Sequence, residues 1–94
     1  MYVLTRNDLP LKYSAVQAGH AVAAFLLHDQ QSWNNEYLIY LSVKNEEELK
    51  TWGEILTLKG IKWFGFKEPD INNELTAIST VCDKKVFSKL KLLC

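Results

Sequence analysis

Ninety-four residues and 10.8 kDa leave room for one domain, residues 1–94, with a feasible but thin core. An apolar share of 48% with 23% charged residues excludes intrinsic disorder, and Gly 4 with Pro 2 excludes collagen-like or linker sequence. The 11 basic and 11 acidic side chains cancel, so the excess of Lys and Arg that marks many nucleic-acid binders is missing, although a local basic patch stays open.

The first strand covers residues 2–5 or 2–6, and the turn Asn7-Asp8-Leu9-Pro10 ends it. A helix then runs from residue 13 or 14 to 28, rich in alanine and apolar almost all round, which predicts burial on more than one side. Residues 29–35 read as a polar loop around Trp33. The run 36–43 is the strongest strand signal, and its nearly continuous apolar character predicts a central strand covered on both faces. Asn45 caps a second helix with Glu48 three residues on, and Glu46 and Glu47 suit its positive end. Leu49, Trp52, Ile55 and Leu56 keep helical spacing until Gly60 stops it. A third strand over 61–67, a turn-rich stretch over 68–73 and a fourth strand over 75–81 follow. Asp83 is placed to cap a last, basic helix over 84–92, with Val86, Phe87, Leu90 and Leu93 toward the core. The expected architecture is α/β, a four-stranded mixed sheet flanked by helices in the order β-α-β-α-β-β-α, with parallel pairing and right-handed crossovers in its first half.

Cys82 and Cys94 are too few for a disulfide framework or a structural zinc site and read as free thiols of a reducing compartment. The longest apolar stretch, 21–27, falls short of the roughly 20 residues of a membrane span, and the first residues read as a strand rather than a leader. The expectation is a cytoplasmic protein.

Two places carry candidate chemistry. Tyr13, Gln17 and His20 share one side of the first helix, which begins where a parallel strand ends, the usual ligand position in an α/β sheet. Arg6, Asp8 and Lys12 lie in the preceding loop. A histidine there serves as a general base or positioning group, or is simply a satisfied, partly buried side chain. The second place is Glu68-Pro69-Asp70 after the third strand, with Asn72, Asn73, Glu74 and Thr76 close behind; such residues also suit a plain turn. His28 complements a helix C-terminus, Trp33, Trp52 and Trp63 suit packing, and Lys84, Lys85, Lys89 and Lys91 suit a solvated face. There is no GxGxxG, Walker loop, G-x-S-x-G or metal-ligand spacing, and no cofactor is expected.

The segments Thr5-Arg6-Asn7-Asp8-Leu9 and Gln17-Ala18-Gly19-His20-Ala21 resemble the V-R-x-D-L strand end and Q-x-x-H-A helix motif of the type-2 peptidyl-tRNA hydrolases. The element order resembles the same fold over most of the chain. This resemblance implies metal-free hydrolysis of the ester joining a peptide to the terminal ribose of tRNA. It places His20 and Gln17 on the helix motif and Arg6 and Asp8 on the strand-end pair. Asp70, or less well Glu68, matches the carboxylate after strand three, and Thr76 matches the threonine of strand four. The family's Gly-Lys before the helix is not reproduced; Tyr13 stands at the lysine position with Lys12 one residue earlier. The loop between Asp70 and Thr76 is shortened, as in a divergent member.

The expected chemistry follows. A water between His20 and Asp70 attacks the ester carbonyl, His20 or Asp70 takes its proton, and Thr76 with Lys12 or backbone N–H groups stabilises the oxyanion. Arg6 and Lys12 meet terminal phosphates, and Asp8 and Gln17 complete the substrate-binding set. The rival readings are a non-catalytic module that binds RNA or protein, and a hydrolase of a smaller ester or amide. Homodimerisation is left open.

Overall fold

A computed structural model describes residues 1–29, 33–34 and 36–93. Its elements run β1 (Tyr2–Arg6), α1 (Leu11–His28), β2 (Ile39–Val43), α2 (Glu46–Leu58), β3 (Trp63–Glu68), β4 (Glu74–Thr80) and β5 (Lys91–Leu92). Short 3-10 turns occupy Pro69–Ile71 and Lys84–Phe87.

Alternation along β1 sets up the two faces of the sheet. Val3 joins Ala18, Ala21, Phe25 and Ala77 under α1, whereas Leu4 joins Leu41, Leu49, Leu56, Ile78 and Phe87 under α2. Both faces are therefore covered, and β1 is the buried centre of the sheet. Strand order is β3-β4-β1-β2-β5, with β1 parallel to β2 and antiparallel to β4, and β3 antiparallel to β4. The parallel crossover and the β3–β4 hairpin agree with the pattern read from the sequence. Asn72 and Asn73 make its turn, both at positive φ (59° and 58°), where Asn is better tolerated than most residues.

Three expectations need correction. The sheet has five strands, and the order is β-α-β-α-β-β-β rather than β-α-β-α-β-β-α with four strands. The segment expected as a final helix makes one 3-10 turn, started by Asp83 Oδ1 accepting from Lys85 N–H (2.8 Å), and then becomes β5. Four lysines without an acid in 84–92 give a helix no favourable i, i+4 charge pairs, and Lys85 and Lys89 would repel. A single turn suffices to bury Phe87, which meets Tyr2 and Trp52 edge-on at 5.4 and 5.1 Å, and the chain then closes the outer edge of β2 through Leu41–Leu92 pairing.

The second correction concerns β2, which starts at Ile39 rather than residue 36 and is the neighbour of the edge, not the centre. Tyr37 and Leu38 are exposed, while Leu41 and Val43 are buried. The third concerns α1. It buries only the stripe Ser14, Gln17, Ala18, Ala21 and Phe25, and leaves Leu11, Val16 and Leu27 exposed. Among the described residues no helix is long and apolar enough to cross a membrane. Cys94 and four residues of the loop expected at 29–35 (30–32 and 35) lie outside the described residues.

Candidate active site at the carboxyl end of the sheet

Because β4 is antiparallel to β1 and β3, its beginning lies beside their ends. This geometry brings Arg6, the start of α1, Glu68, Asp70, Glu74 and Thr76 to one end of the molecule. A β-bulge makes the arrangement specific. Phe66 pairs with Ala77 but Lys67 pairs with Leu75, so Thr76 is the extra residue. Leu75 and Ile78 both face the α2 core although they are three apart, which leaves Thr76 and Ala77 turned toward α1. The Leu75 N–H donates to Glu46 Oε2 at 2.7 Å, tying β4 to the first turn of α2.

Gln17 is the hub. It is 1% exposed, on the second turn of α1, and Thr76 Oγ1 donates to its Oε1 at 2.8 Å. Its Nε2 donates to Glu68 Oε1 at 3.1 Å. A carboxylate only accepts, so the amide must aim its NH2 at Glu68 and its oxygen at Thr76; the amide orientation follows from the partners. The Phe66 carbonyl is 3.2 Å from Thr76 Oγ1, and His20 lies flat on the Phe66 ring, centroids 4.2 Å apart and planes 10° apart. His20 itself is exposed. Tyr13, one turn before Gln17, has a hydroxyl sealed from solvent with no hydrogen-bond partner among the described residues. Burial, followed by the carboxylates of Glu68 and Asp70, pushes its phenol above the ordinary 10.0.

The strand-end pair behaves differently. Arg6 is 5% exposed; its Nε and Nη2 donate to the two oxygens of Asp8, each at 2.9 Å. Its Nη1 donates to Glu74 Oε1 at 2.7 Å and to the Leu75 carbonyl at 3.1 Å. The guanidinium is held well above its ordinary range, first by the Asp8 hydrogen bonds, and those bonds hold Asp8 below its own 3.8. Ser14 Oγ donates to the Arg6 carbonyl at 2.7 Å, pinning the start of α1 to the end of β1. Lys12 and Asp70 are exposed, and the Asp70 N–H is 3.5 Å from Glu68 Oε2.

The structure thus joins Gln17, Thr76 and Glu68 directly, sets His20 on Phe66 beside them, and leaves Arg6 and Asp8 in a separate ion-pair cluster. Reading the sequence missed Ser14 and Phe66, and it named Glu74 beside the Glu68–Asp70 turn without pairing it with Arg6. An acid at the start of β4 was the available signal for Glu74; nothing local marks Phe66 as the platform for His20. Concavities elsewhere are lined by other residues, among them an apolar groove between α2 and β3 on the opposite face of the sheet. Among the described residues no three His, Cys, Asp or Glu side chains are grouped to hold a metal ion.

No protein-family profile matches the chain, and no curated protein matches it in sequence. Among solved structures the chain is similar to Atu0240 of Agrobacterium tumefaciens strain C58, a protein of unknown function. The two share 11% identity with a TM-score of 0.73 over 97% of this chain and 94% of that one. That likeness shows the fold alone.

Proposed function

We propose that the chain is an ester hydrolase of the peptidyl-tRNA hydrolase type, acting at the Gln17–Thr76–Glu68 centre without a metal. The observation that carries this reading is the buried Gln17 amide, which links a helix, a bulged strand and the β3–β4 turn beside an exposed imidazole. A buried amide with such partners costs an apolar helix face stability it would otherwise have, so a positional role explains it better than packing. In the proposed reaction, water held between His20 and the Glu68–Asp70 turn attacks the ester carbonyl carbon. The imidazole takes the water proton and returns it to the ribose oxygen as the ester bond breaks. The developing oxyanion is stabilised by Lys12 or backbone N–H groups. Lys12, in the first turn of α1, meets the terminal phosphates, while Arg6 and Asp8 hold the turn that leads into that helix.

A second reading has its own support. His20 on Phe66 and His28 on Phe64 (5.3 Å, 21°) place two imidazole rings flat on neighbouring aromatic rings of β3, a surface on which unpaired bases could stack. A module that binds single-stranded RNA without cleaving it would use that surface. The deciding experiment is peptidyl-tRNA cleavage with and without a chelator, together with tRNA binding across a salt series for wild type and Lys12→Glu. The hydrolase reading expects cleavage that the chelator leaves unchanged, and binding that weakens on the order of tenfold from low to physiological salt with a flatter slope in the variant. Binding without cleavage favours the module; absence of binding at low salt removes tRNA from both.

A further inference from the structure

The outer edge of β3 is unpaired by any strand among the described residues, and it is flanked by an apolar groove of about 940 Å3 between α2 and β3. Sheet edges of this kind are usually guarded, often by lysine, because their free N–H and C=O groups accept another strand. Here the guard residues form a pattern. The segment Lys62-Trp63-Phe64-Gly65-Phe66-Lys67-Glu68 is self-complementary about Gly65 when read against itself in the opposite direction. Lys62 then faces Glu68, Trp63 faces Lys67, and Phe64 faces Phe66.

The backbone has the parity that this pairing needs. The carbonyls of Lys62, Phe64, Phe66 and Glu68 all point inward, accepting from or approached by Thr80 Oγ1, Ser79 Oγ, Thr76 Oγ1 and Asn73 N–H. Trp63, Gly65 and Lys67 therefore turn their N–H and C=O groups outward. An antiparallel pair with its two-fold axis at Gly65 uses those three residues of each copy, for about six new N–H···O=C bonds.

We propose that the chain forms a homodimer in which β3 of each copy pairs antiparallel across a two-fold axis at Gly65, joining two five-stranded sheets into one. Charge complementarity selects a second copy over an unrelated strand. Lys62, whose Nζ is paired with Asp29 Oδ2 at 2.8 Å in its own copy while its side chain stays 64% exposed, and Glu68, which accepts from Gln17 through Oε1, come opposite each other twice on the α1 side of the sheet, where like charges would repel. On the α2 side, each Lys67 crosses the Trp63 of the other copy, ammonium over ring, and its aliphatic stem covers the groove mouth where Leu58 stands 88% exposed. Gly65 suits the axis because it brings no side chain between the two copies; a Cβ there would already meet Leu75 at 2.8 Å within its own copy.

The test is sedimentation equilibrium over a wide concentration range, with amide hydrogen exchange measured at both ends of it. The expected result is a monomer–dimer equilibrium in which the Trp63, Gly65 and Lys67 amides gain protection with concentration. Lys67→Pro removes one outward donor and no bond to β4, so it should raise the dimer dissociation constant by roughly tenfold or more. Lys67→Glu, which changes only an exposed side chain, should weaken the dimer in the same direction and serves if the proline variant does not fold. A chain that stays monomeric throughout, a dimer indifferent to both variants, or a dimer whose three outward amides remain unprotected would overturn the proposal.

Discussion

α2 is closed by local signals at both ends, whereas α1, rich in alanine, has no side-chain cap at its start. Asn45 Oδ1 accepts from the Glu48 N–H at 3.0 Å, Glu46, Glu47 and Glu48 sit at the positive end, and Gly60 closes the helix at φ 71°. The Gly60 and Ile61 amides return to the Thr57 and Leu56 carbonyls, 3.0 and 2.9 Å, in a Schellman closure. Its buried residues, Leu49, Gly53 and Leu56, are entirely apolar. α1 instead starts at Pro10 with no side-chain cap and no acid in its first turn, and it buries Ser14 and Gln17 while exposing Val16 and Leu27. Helices on opposite faces of one sheet thus follow different rules. The one that breaks the rules of stability holds the polar centre, which is where functional constraint shows.

Truncation on α2 should give the largest loss of stability. Leu56→Ala, fully buried, is expected to cost about 2–5 kcal/mol in chemical denaturation, and to leave the specific activity of the folded fraction unchanged. On α1, Gln17→Leu keeps the volume but strands Thr76 and Glu68; a loss of about 1–3 kcal/mol is expected, accompanied by loss of activity. A more stable variant would show that the amide costs more than its partners return, and would strengthen the functional argument only if activity still fell. Asn45→Ala should cost about 1 kcal/mol, while no single residue at the start of α1 has a comparable cap to lose.

Acid and alkali should give the smallest and most gradual effects. Asp8 is held below its ordinary 3.8 by Arg6, so its contribution is complete above that pH and fades as pH falls through the lower, folded value. Cys82 is pushed up from 9.0 to about 11, chiefly by burial, and Tyr13 is shifted upward as well; both contributions are present below their ordinary values and fade as pH rises. Thermal denaturation across pH should therefore show stability falling below 3.8 and above 9.0, with a small further loss as pH drops below 8.0, where the N-terminal amine, lowered by burial, takes up its proton. A stability maximum near the acid limit would contradict the Arg6–Asp8 assignment.

The contrast between the helices also explains what the sequence disclosed. α2 was legible to its cap and stop because its signals are local. The end of the chain was not: residues 84–92 look amphipathic, but burying Phe87 and closing the edge of β2 are tertiary demands. At the site, residue types at 17, 20 and 76 stood out on their elements. Which carboxylate meets Gln17 depended on the packing of β3 against α1, and the one-residue shift that turns Thr76 toward Gln17 has no signature in the side chains themselves. The ion pair of Arg6 with Glu74 spans 68 residues, and only the pairing of β4 beside β1 shows that this acid faces Arg6.

The most direct test of the central claim separates stability from chemistry at His20. This side chain is exposed and, among the described residues, stacks on the Phe66 ring, so His20→Ala should change unfolding free energy by less than about 1 kcal/mol. The account predicts that single-turnover cleavage of peptidyl-tRNA by the same variant falls by about 100-fold or more. Cleavage at the wild-type rate by the folded variant, or no cleavage by the wild type, would contradict it.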